Sequence, residues 1–519
     1  MTTMKRTLKR RIRFKLESHN QPETSWQDEH KSLRLPRWLF HAVVFSAITL
    51  WGNCLIAAQP PSESNIQKTI QTPADPRVRG LVTITHVTAD NWRFTYDLSR
   101  DARSIFLGPK TEKYHAASWK LPDGFQILVE GPYSYLERRD GKPFQQVAID
   151  VSSYREIVPY APQPFGLFDQ GTAVNTGPLG FAARVGETRM MMAFIPKYSF
   201  VGLPDETVLV PGQKRGMVSE IDLPSQGLFV YFGKLKGLHE TGRTQSILDA
   251  RFPSTLRKPY LSSVKAYASF YDRGLPHAAP EKLVIMVSYQ VDSDPLVANR
   301  RLSLGGNAQH FQIMAKARGP QALKADRQNI QKMQLFFAHE MAHIWQTSLG
   351  SDNARWFNEG EAEMLALHAL EHHGHITHVE VAQNLSARVP QCVESLRRTS
   401  LLEAHRRGEP QANYTAGALV IASALSSISA DGTQQDITAL DRALQTRPVA
   451  ERRNQPLEAF QATLKQLGAK PKAVDAIGTF IRLHHDDPFA AVRLLFDSTG
   501  LAYSVDGSTL TIEPARNAR

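Results

Sequence analysis

The feature that most limits the fold of this chain is a pair of histidines four residues apart in a long stretch that favours helix. Residues 321–349 contain neither Pro nor Gly and include the run L-F-F-A-H-E-M-A-H-I-W, with His339, Glu340 and His343. On an α-helix, residues i and i+4 share a face, so both imidazoles can bind one ion. Glu340 lies beside that face and can reach a water at the ion. The alternative interpretation is an exposed, charged helix face.

A second motif supplies the ligand that the histidine pair lacks. Glu359 lies sixteen residues after His343, in the run W-F-N-E-G-E-A-E-M. Zinc in hydrolases takes three protein ligands, and His, His and Glu form a common set. Glu363 would stand beside Glu359 on a helix and is predicted to fix the tautomer of His339. Glu361 points elsewhere and is predicted to be at the surface. The two motifs together predict a site for one Zn²⁺ ion.

These two motifs resemble those of the gluzincin peptidases, the clan of thermolysin and of aminopeptidase N and its relatives. The histidine motif at 339–343, followed by Trp356-Phe357-Asn358-Glu359-Gly360, carries the resemblance. The N-E-G element and Trp345 after the second histidine are closest to the aminopeptidase N family. The resemblance implies zinc, Glu359 as the glutamate ligand, a β-rich N-terminal domain, a thermolysin-like catalytic domain and a helical C-terminal region.

A tyrosine further along the chain matches another element of that family. Tyr414 begins a Y-x-x-G in the run N-Y-T-A-G, ahead of an apolar helical stretch at 416–425. The resemblance implies that Tyr414 donates a hydrogen bond to the oxyanion of the tetrahedral intermediate, where developing charge needs a donor. The alternative is a tyrosine at a helix start that packs on the core.

The chain departs from the family in the region before the histidine helix. The spacer between His343 and Glu359 is fifteen residues, a little shorter than usual. Aminopeptidases of this family carry a Gly-x-Met-Glu-Asn element whose Glu binds the free amino terminus of the substrate. The corresponding residues here include Gly305, Gly306, Asn307 and Ala308, which suit an edge strand that a peptide can approach, but no acid follows. Strict aminopeptidase specificity is therefore not predicted.

The order of sequence patterns predicts an α+β multidomain protein. Short runs of β-branched and aromatic residues, separated by Gly, Pro, Asp and Asn, fill the region before residue 250, and helix-forming residues dominate from Gln321 to about 500. The predicted regions are a basic leader (1–37), an apolar segment (38–58), a linker (59–79), a β-rich domain (80–250), a thermolysin-like α+β domain with the HExxH helix (251–400) and a helical C-terminal region ending in a short hairpin (401–519).

The apolar segment predicts export. Residues 38–58 contain no Asp, Glu, Lys or Arg and are long enough to cross a bilayer as one helix. The basic leader would stay on the cytoplasmic side and send the rest across, into the periplasm or another extracytoplasmic space. The segment is either a cleaved signal peptide, with Ile56-Ala57-Ala58 as the cleavage site, or a retained membrane anchor. A buried core helix is the remaining alternative.

Charge and cysteine content exclude two other classes of function. Residues 1–37 contain ten Lys or Arg against four acids, so this leader accounts for +6 of the net charge of +11. The remaining excess is thinly spread, and no basic and aromatic stripe predicts nucleic-acid binding. Cys392 has no activating neighbours and is predicted to be a buried structural thiol. The histidines at 368, 372, 373, 375 and 378 match no ligand set and are predicted to form an exposed helix end, with a weak adventitious metal site as the alternative.

The sequence thus predicts a zinc-dependent peptidase with Glu340 as general base and a peptide or protein as substrate. A zinc-binding but inactive scaffold that binds envelope proteins or peptides is the alternative. A sister branch of the resembled family hydrolyses epoxides, and nothing in the sequence points to that substrate. The sequence carries no signal for an oligomeric state.

Overall fold

The computed structural model describes residues 77–514, apart from gaps at 110–111, 132, 154–164, 181, 187–189, 211–212, 216, 224–226, 276–281, 292–301, 321–322, 351 and 430–436. The predicted leader, apolar segment and nearly all of the predicted linker therefore lie outside the described residues. Within the described part, no helix is both long enough and apolar enough to span a bilayer.

The N-terminal part consists of strands and one short helix, α1 (Glu112–Ser118). The strands are β1 (Val78–Thr88), β2 (Asn91–Ala102), β3 (Ser104–Pro109), β4 (Trp119–Lys120), β5 (Phe125–Glu130), β6 (Tyr133–Arg138), β7 (Phe144–Ser152), β8 (Phe165–Phe168), β9 (Gly171–Asn175), β10 (Ala182–Val185), β11 (Met190–Val201), β12 (Thr207–Val210), β13 (Gln213–Arg215), β14 (Met217–Asp222) and β15 (Phe229–Gly233).

These strands form two sheets that enclose one core. The larger has the order β4-β7-β2-β1-β11-β10-β3-β6-β5, with β14 also paired to β11, and the smaller has the order β13-β12-β15-β9-β8. Alternation fixes which face is buried: in β2, Trp92, Phe94 and Tyr96 point inward between polar residues that are exposed or partly exposed. The Trp92 ring lies 4.9 Å from that of Phe232 in the smaller sheet. The predicted β-rich N-terminal region is confirmed.

A third sheet carries the region of the histidine motif. Its strands are β16 (Leu238–Thr241), β17 (Thr244–Leu248), β18 (Leu283–Val291), β19 (Ser303–Gln309) and β20 (Gln312–Gly319), in the order β16-β17-β18-β20-β19. Strands β17, β18 and β20 are parallel, and α2 (Ser254–Gly274) connects the first two. The sheet already begins at Leu238, so the end of the region predicted as 80–250 contributes two of its strands.

This third sheet is the middle layer of the molecule. All residues of β18 from Leu283 to Tyr289 are buried, as expected for a strand that is covered on both faces. On one face, Met286 and Met314 pack against Tyr231 and other residues of the smaller β-sheet. On the other face, the sheet shares a core with the helices that follow. The edge strand β19 is thereby placed next to the helix that carries the histidine motif.

The remainder of the chain is helical and ends in a hairpin. The helices are α3 (Arg327–Trp345), α4 (Arg355–His372), α5 (His378–Ser386), α6 (Val389–Leu396), α7 (Gln411–Ile428), α8 (Ile437–Gln445), α9 (Val449–Asn454), α10 (Pro456–Gln466), α11 (Pro471–Arg482) and α12 (Pro488–Thr499), followed by β21 (Tyr503–Asp506) and β22 (Thr509–Ile512). The predicted fold class, a β-rich region followed by an α+β region and a mostly helical region, is confirmed.

Candidate metal centre

Helix α3 places the two motif histidines on one face. The helix begins after Asp326, whose side chain accepts a hydrogen bond from the backbone N–H of Asn329 and so caps the first turn. His339 is buried and His343 is partly buried. Their Nε2 atoms face each other at 3.1 Å. Two ring nitrogens at this distance require a proton or a cation between them.

Helix α4 brings a carboxylate to the same point. Glu359 is buried, and its Oε2 lies 3.4 Å from Nε2 of His339 and 3.3 Å from Nε2 of His343. Among the described residues, these three form the one group of His, Cys, Asp and Glu side chains whose ligand atoms all lie within 4.8 Å of one another. The predicted ligands are therefore brought together, although they come from two helices.

The triangle of donor atoms fits a zinc ion. Its edges are 3.1, 3.3 and 3.4 Å. Zinc bonds of about 2.0–2.2 Å at tetrahedral angles separate neighbouring ligand atoms by about 3.3 Å. Glu359 Oε2 is buried and accepts no well-aligned hydrogen bond, although a buried carboxylate oxygen without a partner is unfavourable. A divalent cation bound by the three donor atoms would supply that partner.

The electrostatics of the centre also favour a cation. Burial lowers the pKa of His339, but the carboxylates of Glu359, Glu363 and Glu340 outweigh it and raise the pKa to about 9. Burial raises the pKa of Glu359, but the two imidazoles outweigh it and hold this pKa well below its usual value. Burial is also the main reason that the pKa of Glu340 is raised. Three carboxylates thus gather around two imidazoles, an arrangement that attracts positive charge.

Glu363 faces Nδ1 of His339, although the contact is not an aligned hydrogen bond, so its predicted role in fixing the tautomer of His339 stays a prediction. Its Oε1 is 3.4 Å from Nδ1 of His339. Its other oxygen accepts a hydrogen bond of 2.5 Å from Nη2 of Arg388. Arg388 was not predicted, because it is 25 residues from Glu363 and belongs to no recognisable motif.

Gln346 is a second residue that the sequence analysis missed. Its Nε2 lies 3.1 Å from Nδ1 of His343, whereas its Oε1 is buried and has no hydrogen-bond partner. Rotating the Gln346 amide by half a turn would exchange its oxygen and nitrogen, and Oε1 could then accept a hydrogen bond from Nδ1–H of His343. The imidazole Nε2 would then be unprotonated and able to bind a cation. One sequence signal could have identified Gln346: it follows His343 by three residues, at the end of the same helix.

Tyr414 reaches the centre because two glycines let helices α4 and α7 touch. A Cβ atom at Gly360 would lie 2.3 Å from the carbonyl carbon of Gly417, and one at Gly417 would lie 2.3 Å from the carbonyl oxygen of Trp356. The Tyr414 ring is thereby brought over His339, with 5.7 Å between ring centroids and 30° between planes. Gly360 of the N-E-G motif and Gly417 of the Y-x-x-G motif therefore allow close packing of the two helices. Tyr414 lies in the first turn of α7.

Strand β19 runs along α3 from Asn329 to Phe336, which precedes His339 by about one helical turn. The backbone N–H of Leu302, just before β19, bonds Oδ1 of Asn329 near the start of α3. Four residues on, a Cβ at Gly306 would lie 2.8 Å from Cζ of Phe336. Within the described part of the chain, β19 pairs only with β20, so its other edge has no strand partner. The predicted edge residues 305–308 lie on this strand, and their contact with a substrate remains a prediction.

One side chain of the second motif is not where it was predicted. Glu361 was expected at the surface, but it is fully buried and neither carboxylate oxygen has a hydrogen-bond partner. Burial, together with the negative charge of Asp441, raises its pKa well above the usual value. The prediction was wrong because α4 is covered on several sides, so helical spacing alone does not put position 361 in solvent. Cys392 is buried as predicted, and burial raises the pKa of its thiol.

The other histidines form no ligand group of the required geometry among the described residues. His372 is exposed, but its neighbours at the end of α4 are partly buried. His375 Nδ1 lies 2.7 Å from the hydroxyl of Tyr267, and His378 Nδ1 lies 2.7 Å from Oε1 of Glu371. This helix end is therefore more enclosed than the predicted exposed terminus.

Comparison with solved structures shows a shared fold. The chain superposes on an aminopeptidase N family protein from Idiomarina loihiensis with a TM-score of 0.53 and 12% identity, covering 80% of this chain and 78% of that one. An M1 zinc metallopeptidase from Deinococcus radiodurans gives 0.42 and 12%, with coverage of 85% and 95%. Native leukotriene A4 hydrolase from Saccharomyces cerevisiae gives 0.43 and 12%, with coverage of 79% and 68%. No family model and no curated protein matches the sequence. The resemblance to the aminopeptidase N family is confirmed as a resemblance of fold.

Proposed function

We propose that this chain is a zinc-dependent peptidase that hydrolyses peptide bonds with Glu340 as general base. The observation that carries the proposal is the buried triangle of His339 Nε2, His343 Nε2 and Glu359 Oε2, whose edges match one face of a zinc tetrahedron. A zinc ion, when bound, supplies Lewis acidity that polarises a carbonyl and acidifies a water.

Glu340 supplies the proton transfers in this proposal. It follows His339 directly on α3, so its carboxylate lies beside the ligand face rather than on it. From there it takes the proton of the attacking water and passes it to the departing amine, a role typically worth ~10²–10⁴-fold in rate. The two other carboxylates near the centre already have partners: Glu359 faces the imidazoles and Glu363 is held by Arg388. We therefore assign both proton transfers to Glu340.

Tyr414 is proposed to stabilise the oxyanion. Its ring stacks beside His339 and the residue is only partly buried, which places it at the edge of the metal centre, where we expect its hydroxyl to face a bound substrate. A donor that is already in place where charge develops stabilises the transition state more than the ground state. The close crossing of α4 and α7 supplies this preorganisation.

The substrate is proposed to be a peptide that pairs with the free edge of β19. Peptides commonly add as a strand to an exposed sheet edge. The strand Ser303–Gln309 contains no carboxylate that could bind a free amino terminus. We therefore expect internal peptide bonds to be cleaved, and an N-acetylated peptide should be hydrolysed about as well as the same peptide with a free amine. A strict requirement for the free amine would contradict this part of the proposal.

Export remains part of the proposal. The basic leader at 1–37 and the apolar segment at 38–58 support transfer of the enzyme across the cytoplasmic membrane, with or without retention as an anchor. Fractionation of cells that produce the full chain, followed by N-terminal sequencing, distinguishes a cleaved signal from an anchor. Recovery of the intact protein in the cytoplasm would contradict export.

The Glu340→Gln variant tests the catalytic proposal. The full-length variant should bind zinc as the wild type does but lose peptide hydrolysis by ~10²–10⁴-fold, because only the proton acceptor is removed. Glu394→Gln is the matched control, since Glu394 is exposed on α6 and pairs only with surface arginines among the described residues. Near-normal turnover by Glu340→Gln would refute the role of Glu340. A wild-type protein that binds zinc but cleaves nothing in a broad peptide library would instead indicate a binding scaffold.

A further inference from the structure

We infer that Arg388 is a positioning residue of the metal centre, which acts by holding Glu363 against His339. The inference rests on the proposed zinc site but concerns metal affinity rather than hydrolysis. Glu363 uses its two oxygens separately: Oε2 accepts from Arg388 Nη2 at 2.5 Å, and Oε1 lies 3.4 Å from His339 Nδ1. The side chains of Arg388 and Glu363 are both only 14% exposed.

The backbone of Arg388 is fixed by the turn between helices α5 and α6. Its N–H donates to the carbonyl of Leu385 at 3.0 Å, and its own carbonyl accepts from the N–H of Cys392 at 2.9 Å. Leu385, Val389 and Cys392 are buried on either side of it. The guanidinium therefore projects from a rigid base, and Glu363 is held from outside its own helix.

Charge explains why a cationic side chain is needed at this position. The carboxylates that act on His339 are Glu340, Glu359 and Glu363. One guanidinium together with one divalent ion neutralises three carboxylates, and an uncompensated buried carboxylate is strongly unfavourable. Without Arg388, Glu363 would be repelled by its neighbours and free to rotate away from His339. Loss of a partner that orients a metal-bound histidine typically costs ~10–100-fold in metal affinity.

The contact is a single hydrogen bond rather than a fork. Only Nη2 of Arg388 contacts Glu363, and Nε of Arg388 is buried without a hydrogen-bond partner. A lysine ammonium could therefore replace much of the interaction as a point charge, whereas a methionine of similar length could not. This difference separates positioning by charge from simple packing of the side chain.

The test is zinc affinity of the full-length apoprotein, measured by competition with a chelating dye. Arg388→Met and Glu363→Gln should each weaken zinc binding by ~10–100-fold. Arg388→Lys should bind zinc within about threefold of wild type, since it keeps the charge. The double variant Arg388→Met/Glu363→Gln should be no weaker than Glu363→Gln alone, because both residues act through one contact. Arg397→Met is the control and should have no effect, because the side chain of Arg397 is 64% exposed and pairs with the exposed Glu394.

The outcomes separate this inference from the proposed function. Wild-type zinc affinity in Arg388→Met, or losses that add in the double variant, would overturn the role of Arg388 while leaving the peptidase proposal intact. If the wild-type protein binds zinc but hydrolyses no peptide, the peptidase proposal fails and the affinities still test Arg388. Absence of zinc binding by the folded wild type would overturn both. Should Arg388→Met not fold, Arg388→Gln takes its place, because it also removes the charge but keeps a polar side chain, and the same loss of zinc affinity is expected.

Discussion

Replacing Gly417 with alanine would force helices α4 and α7 apart at the metal centre. The new Cβ would lie 2.3 Å from the carbonyl oxygen of Trp356, whereas real Cβ contacts are essentially never shorter than 3.0 Å. The opposing atom belongs to a helix backbone and cannot rotate away. The two helices must therefore separate by at least about 0.7 Å, taken from these two distances, and Tyr414 moves away from His339 with α7.

The expected size of the effect follows from two opposing terms. Overpacking of a well-packed core costs about 1–3 kcal/mol. Replacing a helical glycine with alanine contributes up to about 1 kcal/mol in the other direction. With the full opposing contribution, we expect a net loss of free energy of unfolding of about 0–2 kcal/mol. Displacement of a catalytic group by about 1 Å can cost ~10²-fold in rate, so kcat should fall by ~10–100-fold.

Peptide hydrolysis and urea unfolding of the full chain measure both effects. Gly478→Ala in α11 is the matched control, because its Cβ would meet only the ends of the Gln461 and Arg482 side chains, which can move. That variant should keep full activity. If Gly417→Ala were instead more stable than wild type, with unchanged kcat, the close crossing of α4 and α7 would not position Tyr414.

Three further predictions follow from single contacts. Tyr414→Phe should lower kcat by ~10²–10³-fold in steady-state hydrolysis with little change in zinc content, because one oxyanion donor is lost; an unchanged kcat would assign Tyr414 to packing. Gln346→Leu should weaken zinc binding by ~10-fold in dye competition, since His343 loses its Nδ1 partner; equal affinity would contradict this. Burial lowers the pKa of Lys316 to about 7 from 10.5, so at this residue the unfolded chain binds more protons between those values, and the contribution of Lys316 to stability rises with pH across that window. The raised pKa of His339 acts in the opposite direction up to about pH 9, so the free energy of unfolding of wild type is compared with that of Lys316→Met: the difference should increase from pH 7 to pH 10 in urea unfolding, and a difference that does not change with pH would exclude Lys316.

The parts of the site that the sequence predicted are those governed by helical spacing. His339 and His343 had to share a face of α3 once that segment was helical, and the N-E-G motif placed Glu359 on the next helix. Glu363 followed from the same periodicity, one turn further along α4. Helical spacing was sufficient to place the two histidines together and Glu363 beside Glu359, whereas the meeting of Glu359 with the histidines was inferred from the ligand sets of zinc hydrolases.

The parts that were missed depend on contacts between elements. Arg388 reaches Glu363 from the turn between α5 and α6, and no local pattern specifies where that turn packs. Glu361 was placed in solvent because helical spacing does not reveal how many neighbours cover a helix, and the structure buries it near Asp441 on α8. The close approach of the helix backbones at Gly360 and Gly417 likewise depends on how α4 and α7 cross, which the sequence does not reveal.

Anomalous diffraction from crystals of the zinc-loaded full chain, recorded on both sides of the zinc absorption edge, would locate the metal directly. We predict one strong peak about 2.0–2.2 Å from His339 Nε2, His343 Nε2 and Glu359 Oε2. A zinc peak at the histidines of residues 372–378 with none between α3 and α4, or ordered crystals without any zinc peak, would contradict it.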